Sequence, residues 1–469
     1  MNARTRQNCA TIICWLIGFN AIAAAELSPK TATVAAVQPE NTSAEHPNAI
    51  GQISQRLLDF FLRMRVERNV DISDNVLGTS VRGSVKTQGS LVPLFTPDDR
   101  RGSIQLQFTG DTAAPRMIGQ NGPATIFSST LTKVDARKSV ILDDQGIHLM
   151  PTVANGTTQL SINDVVAKRR FIERIARRRA DRSQAEAQAI TSQRTRTRLQ
   201  QEIDRDAATP LKQAQDYFIK GFRNPLIARD ALPKILRFST TSEHLRLIFK
   251  QCCHSPLAPP QVAPSINAQH DIVVAFHESA IESIYDVFFG GKTAVDRDVL
   301  KTVHLLTGED PRPLRVHART PAWSMTFADR QPLDLIFADG ETTIALRLKS
   351  LQYGERQFDG AFTVAVRYQL EKTPSGPRLN RQGALQVNGE IADGSIGELG
   401  EATSILRKKF SAVFPSVLSF DGMAPPSGGI WDKVGQLQLA QLDAKDGWVV
   451  IGYRLRQAPV MLVKHEAMR

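Results

Sequence analysis

The sequence predicts an α+β fold of two helix-plus-antiparallel-sheet modules joined by a long basic helical segment. Three observations carry this reading. Apolar residues recur at helical spacing in 50–68 and again in 278–289. Each of these stretches is followed by short runs in which apolar and polar residues alternate, the mark of strands with one wet face. Between the two series lies an arginine-rich segment, 163–250, whose first part has a helical composition.

The chain has 469 residues, enough for two or three domains with their own cores. It opens on MNARTRQN, with Arg4 and Arg6, followed by the apolar run CATIICWLIGFNAIAAA. Ala23 and Ala25 place small residues three and one before a cut ahead of Glu26. Residues 1–25 therefore read as a cleaved signal peptide, too short and too interrupted by Asn20 to span a bilayer of ~20 apolar residues. Export to the periplasm or the extracellular space is the expectation. Loss of the two arginines lowers the formal charge from +11 to +9. Residues 26–49, rich in Pro, Thr, Ala and Ser, read as a flexible linker.

The first module is assigned to 50–162. Its helix spans 50–68, with Ile53, Leu57, Phe60, Phe61 and Met64 on one face. Its strands are typified by SIQLQF, where Ile104, Leu106 and Phe108 alternate with Gln105 and Gln107. Turns are marked by TPDDRRG, GQNGP and DDQG.

The basic helical segment, 163–250, carries twelve basic and five acidic residues between Lys168 and Arg205. Arg170, Arg174, Arg177, Arg178 and Arg179 form its densest cluster, a candidate contact for an anionic membrane surface or envelope polymer. Only Phe171 interrupts the cluster with an aromatic ring, so base stacking is unsupported and no nucleic-acid partner is expected.

The second module, 265–469, follows the Pro-rich stretch at 255–264. It runs strand (DIVVAF), helix (ESAIESIYDVFFGG), helix (TAVDRDVLKTVHLL) and then a series of alternating strands from LRVHAR to ALQVNGEI. In FTVAVRYQLEK, Phe362, Val364, Val366, Tyr368 and Leu370 share one face. A helix near 401–414 and a closing hairpin around WVVIGYRL complete the module.

The motifs that resemble catalytic signatures fail on spacing. His277-Glu278 lacks the second histidine of a zinc-protease helix, since Ile281 stands in its place. Ser279 and Glu282 have capping-box spacing instead, which predicts helix initiation. GGKT at 290–293 has Asp286 where a phosphate-binding loop needs glycine, and Asp393 breaks a nucleophile elbow at Ser395. The adjacent Cys252 and Cys253 read as plain loop thiols. No enzyme activity, cofactor or metal is expected.

The order DIVVAFHESAIESIYDVFFGGKT, then the strands through VAVRYQLEK, resembles the tubular lipid-binding (TULIP-type) modules over 270–391. Such modules pair a long helix with a highly curved antiparallel sheet around an apolar channel. The resemblance implies that the inward residues Ile284, Phe288, Ile344, Leu346, Leu348, Phe362, Val364 and Val366 touch the ligand, a lipid or other amphiphile. The function expected is therefore non-catalytic binding in the cell envelope. The alternative is a structural scaffold whose basic helices dock a partner or an anionic surface.

Overall fold

A computed structural model describes residues 46–229, 232–251, 262–307, 310–315, 321–373, 376–391, 396–419 and 437–455. The predicted signal peptide, most of the linker, and Cys252 and Cys253 lie outside these residues. The fold is mixed α+β, 29% helix and 53% strand, with antiparallel sheets dominating. It divides into two compact units.

Strand β1 (Ala49–Ser54) and helix α1 (Gln55–Leu62) come first. The long strands β2 (Met64–Val76), β3 (Thr79–Phe95), β4 (Gly102–Asn121) and β5 (Ala124–Asp143) follow. Then come β6 (Gly146–Leu149), β7 (Val153–Ala167) and helix α2 (Arg170–Tyr217). The helix expected over 50–68 is thus only its middle part. Ile50 and Ile53 pair with Ala275 and Ile272 in a sheet, and this tertiary pairing overrides their helical spacing. Likewise β7 runs to Ala167, so the helical segment starts several residues later than its composition suggests.

The first unit comprises Gln55–Gln215 with Ser239–Leu245. Its sheet has the order β2-β3-β4-β5-β6, with β7 also paired to β5. The long basic helix α2 lies in this unit with the sheet, so the chain is not clearly two helix-plus-sheet modules with a helical joint.

The second unit begins its strands with β8 (Ile235–Thr240), β9 (His244–Lys250) and β10 (Ile272–His277). Helix α3 (Glu278–Phe289), β11 (Thr293–Val295) and helix α4 (Asp296–Thr307) follow. Next are β12 (Trp323–Phe327), β13 (Leu333–Ala338), β14 (Glu341–Tyr353) and β15 (Arg356–Thr373). The unit ends with β16 (Gly376–Arg381), β17 (Gln386–Ile391), helix α5 (Ile396–Val413), β18 (Val417–Ser419), β19 (Leu437–Lys445) and β20 (Trp448–Leu455). Leu314, assigned to a strand from sequence, sits in a 3-10 turn over Arg312–Leu314.

These strands make one sheet of order β19-β20-β10-β1-β9-β8 and another of order β11-β12-β14-β15-β16-β18, joined by β13 and β17. The second sheet carries the largest core. Phe362, Val364, Val366 and Tyr368 of β15 are buried with Leu346 and Leu348 of β14, under Ala402, Leu406 and Phe410 of α5.

The start of α3 departs from the expected capping box. His277 is the N-cap, its Nδ1 accepting from the Ser279 amide at 3.2 Å. Glu282 turns elsewhere and accepts from the Leu335 amide at 2.9 Å, while Glu278 accepts from the Phe337 amide at 3.2 Å. One turn apart, the two carboxylates satisfy amides along β13, which among the described residues pairs only with β14 and would otherwise present a bare edge.

Candidate ligand cavity

Alternation along β2 to β5 and β7 gives the first unit's sheet an inner face turned to α2 and an outer face that is largely polar but exposes Ile118, Leu131 and Val166. Register shifts at Gly83/Lys86 on β3, Ala114/Met117 on β4 and Phe127/Ser128 on β5 break three successive pairings. Bulges bend and twist a sheet locally. Glycines allow a second close approach: a Cβ on Gly89 would lie 2.7 Å from the Phe108 ring, and one on Gly110 would lie 2.9 Å from it. The far edge of the Phe108 ring therefore sits against this glycine pair. With Val134, Ala136 and Ala154 it forms a dry plug, against which Leu199 and Ile203 of α2 pack.

Beyond the plug the packing changes. Helix α2 presents Ala176, Ala180 and Ala187 to inward residues such as Val85, Thr112, Ser128 and Thr130. Short side chains on both sides leave the space between helix and sheet unfilled. The result is a cavity of about 930 Å³, within the range that holds drug-sized or larger ligands. Ile72, Val81, Met117, Ile126, Leu160 and Ile172 supply much of its apolar lining. The turns at Leu77 and Pro123 and the first turns of α2 line one end. Ile175, part of that lining, is 51% exposed, so the cavity opens to solvent there.

The helix is fixed to the sheet by polar contacts on both flanks. Toward β7, Gln184 donates to the Leu160 carbonyl at 2.8 Å, Gln188 accepts from the Leu160 amide at 3.2 Å, and the Ser192 hydroxyl donates to the Gly156 carbonyl at 3.1 Å. Near the plugged end, Lys138 Nζ is buried and donates to Asp204 at 2.6 Å and to the Met150 carbonyl at 3.1 Å. Burial of Asp204 opposes its ionisation, but Lys138 and Thr152 outweigh it and hold the carboxyl below its ordinary range.

Toward β2 the contacts are ionic. Asp74 pairs with Arg194 at 2.5 Å and with Arg198 at 2.6 Å, and Arg194 also donates to the Asn75 carbonyl. Burial again opposes ionisation of Asp74, and the Asn75 amide and the two guanidiniums again win, lowering its pKa. Arg68, further down β2, lies 3.4 Å from Glu202 and 3.7 Å from Asp206.

The residues singled out from the sequence fall into two groups. Arg170, Arg174, Arg177, Arg178 and Arg179 are exposed on the first turns of α2; Arg177 pairs with Asp164 at 2.8 Å and Arg179 lines the cavity. Phe171, 72% exposed, stands among them. Leu346, Leu348, Phe362, Val364 and Val366 lie in the closed core of the second unit, with Ile344 packed against it. Phe288 packs beside Phe218 and Leu226, and Ile284 is buried. None of these eight lines the cavity. Its lining comes instead from β2 to β7 and α2, where alternating Thr and Ser at inward positions read as ordinary polar residues. Among the described residues no cluster of three or more His, Cys, Asp or Glu side chains could hold a metal. No helix among them is long and apolar enough to cross a membrane.

No protein family matches the sequence, and no curated protein does. Among solved structures, the chain is similar to a lipopolysaccharide binding protein at 11% identity and a TM-score of 0.26, covering 87% of this chain and 99% of that one. It is also similar to P47 from Clostridium botulinum A2, at 8% identity and a TM-score of 0.21, covering 87% of this chain and 97% of that one.

Proposed function

We propose that this chain is a non-catalytic binding protein of the cell envelope that holds a lipid or other amphiphile in the cavity of its first unit. The observation that carries the reading is the unfilled space between α2 and the bent sheet, plugged by Phe108 at one end and open beside Ile175 and Arg179 at the other. An apolar chain gains about 25 cal/mol for each Å² it buries there, while a polar head at the open end stays beside arginines and water. A long helix on a curved antiparallel sheet is also the arrangement of tubular lipid-binding modules. In this reading the chain has two helix-on-sheet units, one holding the ligand and the other closed around its own core.

Placement in the envelope rests on the N-terminal order of Arg4 and Arg6, apolar run and Ala23-x-Ala25. The exposed arginines of α2, with Phe171 and Ile175 beside them, suit contact with an anionic lipid surface.

Binding is tested with a fluorescent NBD-labelled monoacylglycerol, titrated into the purified chain and displaced by extracted envelope lipid. Thr130→Trp places an indole in the cavity and should abolish uptake while leaving the thermal midpoint close to that of the parent. Equal uptake by both proteins, or none by the parent, would remove the reading.

A further inference from the structure

The two flanks of α2 are held by different chemistry, and that difference points to a gate. On the β7 side, Gln184, Gln188 and Ser192 bond directly to main-chain groups of β7. These are neutral bonds that salt does not screen; the ionic contacts away from β2 are Arg177–Asp164 near the start of the helix and Lys138–Asp204 near the plug, whose ammonium is buried. On the opposite side, β2 is the edge strand, paired among the described residues only with β3. Its outer part is tied to α2 by Asp74 to Arg194 and Arg198, and by Arg68 to Glu202 and Asp206. All of these side chains are partly exposed, between 20% and 43%. Val70 and Ile72, which lie between the two ionic ties, line the cavity.

An edge strand with one hydrogen-bonded neighbour can swing with that neighbour when its other flank is released. The β2 flank is the one that screened, solvent-reached charges can release.

We infer that the seam between β2 and α2 is a gate along the length of the cavity, latched by Asp74 on Arg194 and Arg198, and that the apolar chain of an amphiphile, its head at the open end beside Ile175, enters and leaves through it. The inference rests on the binding reading above. The β7 flank acts as the hinge side, and the plug under Phe108 keeps the far end shut. Because Asp74 bridges two guanidiniums one helical turn apart, its loss frees both ties at once.

The test is stopped-flow release of the uncharged NBD-labelled monoacylglycerol from the full chain at about 0.01 M and about 1 M salt, conditions that change the screening length about tenfold. Release from the parent should quicken with salt. Asp74→Asn, nearly isosteric, should release roughly two- to thirtyfold faster at low salt, the range for two part-exposed ion pairs, and lose most of the salt dependence. Arg194→Gln combined with Arg198→Gln should reproduce this from the helix side, and Ser192→Ala on the opposite flank should release like the parent. Probe uptake with release unchanged in the Asp74 and arginine variants overturns the gate alone. No uptake by the parent overturns the binding reading and the gate with it.

Discussion

Val364→Arg separates a closed core from a ligand face in the second unit. Val364 is fully buried on β15, flanked by Leu346 on β14 and Val387 on β17, under the apolar face of α5. The side chains packed around it are apolar, Leu346, Phe362, Val387 and Leu406 among them, so an arginine there would be a charge buried among apolar groups. Such a charge costs at least about 3–5 kcal/mol, a large share of the roughly 5–15 kcal/mol that holds a domain together. The milder Val364→Ala removes two carbon groups, about 1.6 kcal/mol of transfer at ~0.8 kcal/mol each, before the cavity term is added. At about 2–4 °C per kcal/mol for a unit of this size, the alanine variant should melt several degrees lower. The arginine variant should lose the second unit's cooperative transition altogether. Circular dichroism melts record both, and monoacylglycerol uptake by the first unit reports whether its cavity survives. A Val364→Arg protein that melts like the parent but no longer takes up the probe would mean that this face lines a ligand channel and not a closed core.

Lys138→Met removes the buried ammonium that donates to the Met150 carbonyl and to Asp204, which also accepts from Thr152; it should lower stability by about 2 kcal/mol, the scale of a charge-assisted hydrogen bond with a partly exposed partner, as read by urea midpoints. Burial pushes the His277 imidazole down from 6.5 to about 4. The unfolded chain therefore takes up this proton first, so the histidine's contribution is complete above about pH 6.5 and is lost as pH falls toward 4. His270, also depressed by burial, adds to the same acid loss. His277→Asn, which keeps an N-cap side chain, should flatten the melting temperature against pH over that window; an unchanged profile would assign the loss elsewhere. Sedimentation with anionic vesicles should show binding that weakens with salt, and changing Arg177, Arg178 and Arg179 together to Glu should abolish it. Binding indifferent to both would show that the first turns of α2 do not make the contact.

The strand-rich α+β character was legible because period-2 alternation in stretches such as SIQLQF and FTVAVRYQLEK reports one buried face wherever it occurs. Which helix serves which sheet was not. Helix α2 buries alanines, at 180 and 207, rather than leucines and phenylalanines along most of its length, so its contact face is hard to tell from a solvated arm crowded with arginine. That same choice of small side chains opens the cavity. The inward Thr87, Thr112, Ser128 and Thr130 have the opposite ambiguity, because hydroxyls at inward positions read as an exposed face. At residues 50–54 an apolar spacing of three suits a helix, and only pairing with β10, more than two hundred residues away, makes it a strand. The His277 cap was hidden for a local reason: Ser279 and Glu282 have capping-box spacing, but Glu282 is drawn off to the amide of Leu335. The arginine cluster, by contrast, was plain from composition, and its exposure on α2 follows from the cost of burying guanidinium groups.

Native mass spectrometry of the chain purified from cells that process and export it would detect a ligand held in the α2 cavity. The parent should carry a bound amphiphile that dissociates on activation, with the polypeptide starting at Glu26. Thr130→Trp, folded to the same degree, should fly as the bare polypeptide. A parent that carries no adduct and acquires none when mixed with envelope lipid would contradict a ligand in the α2 cavity.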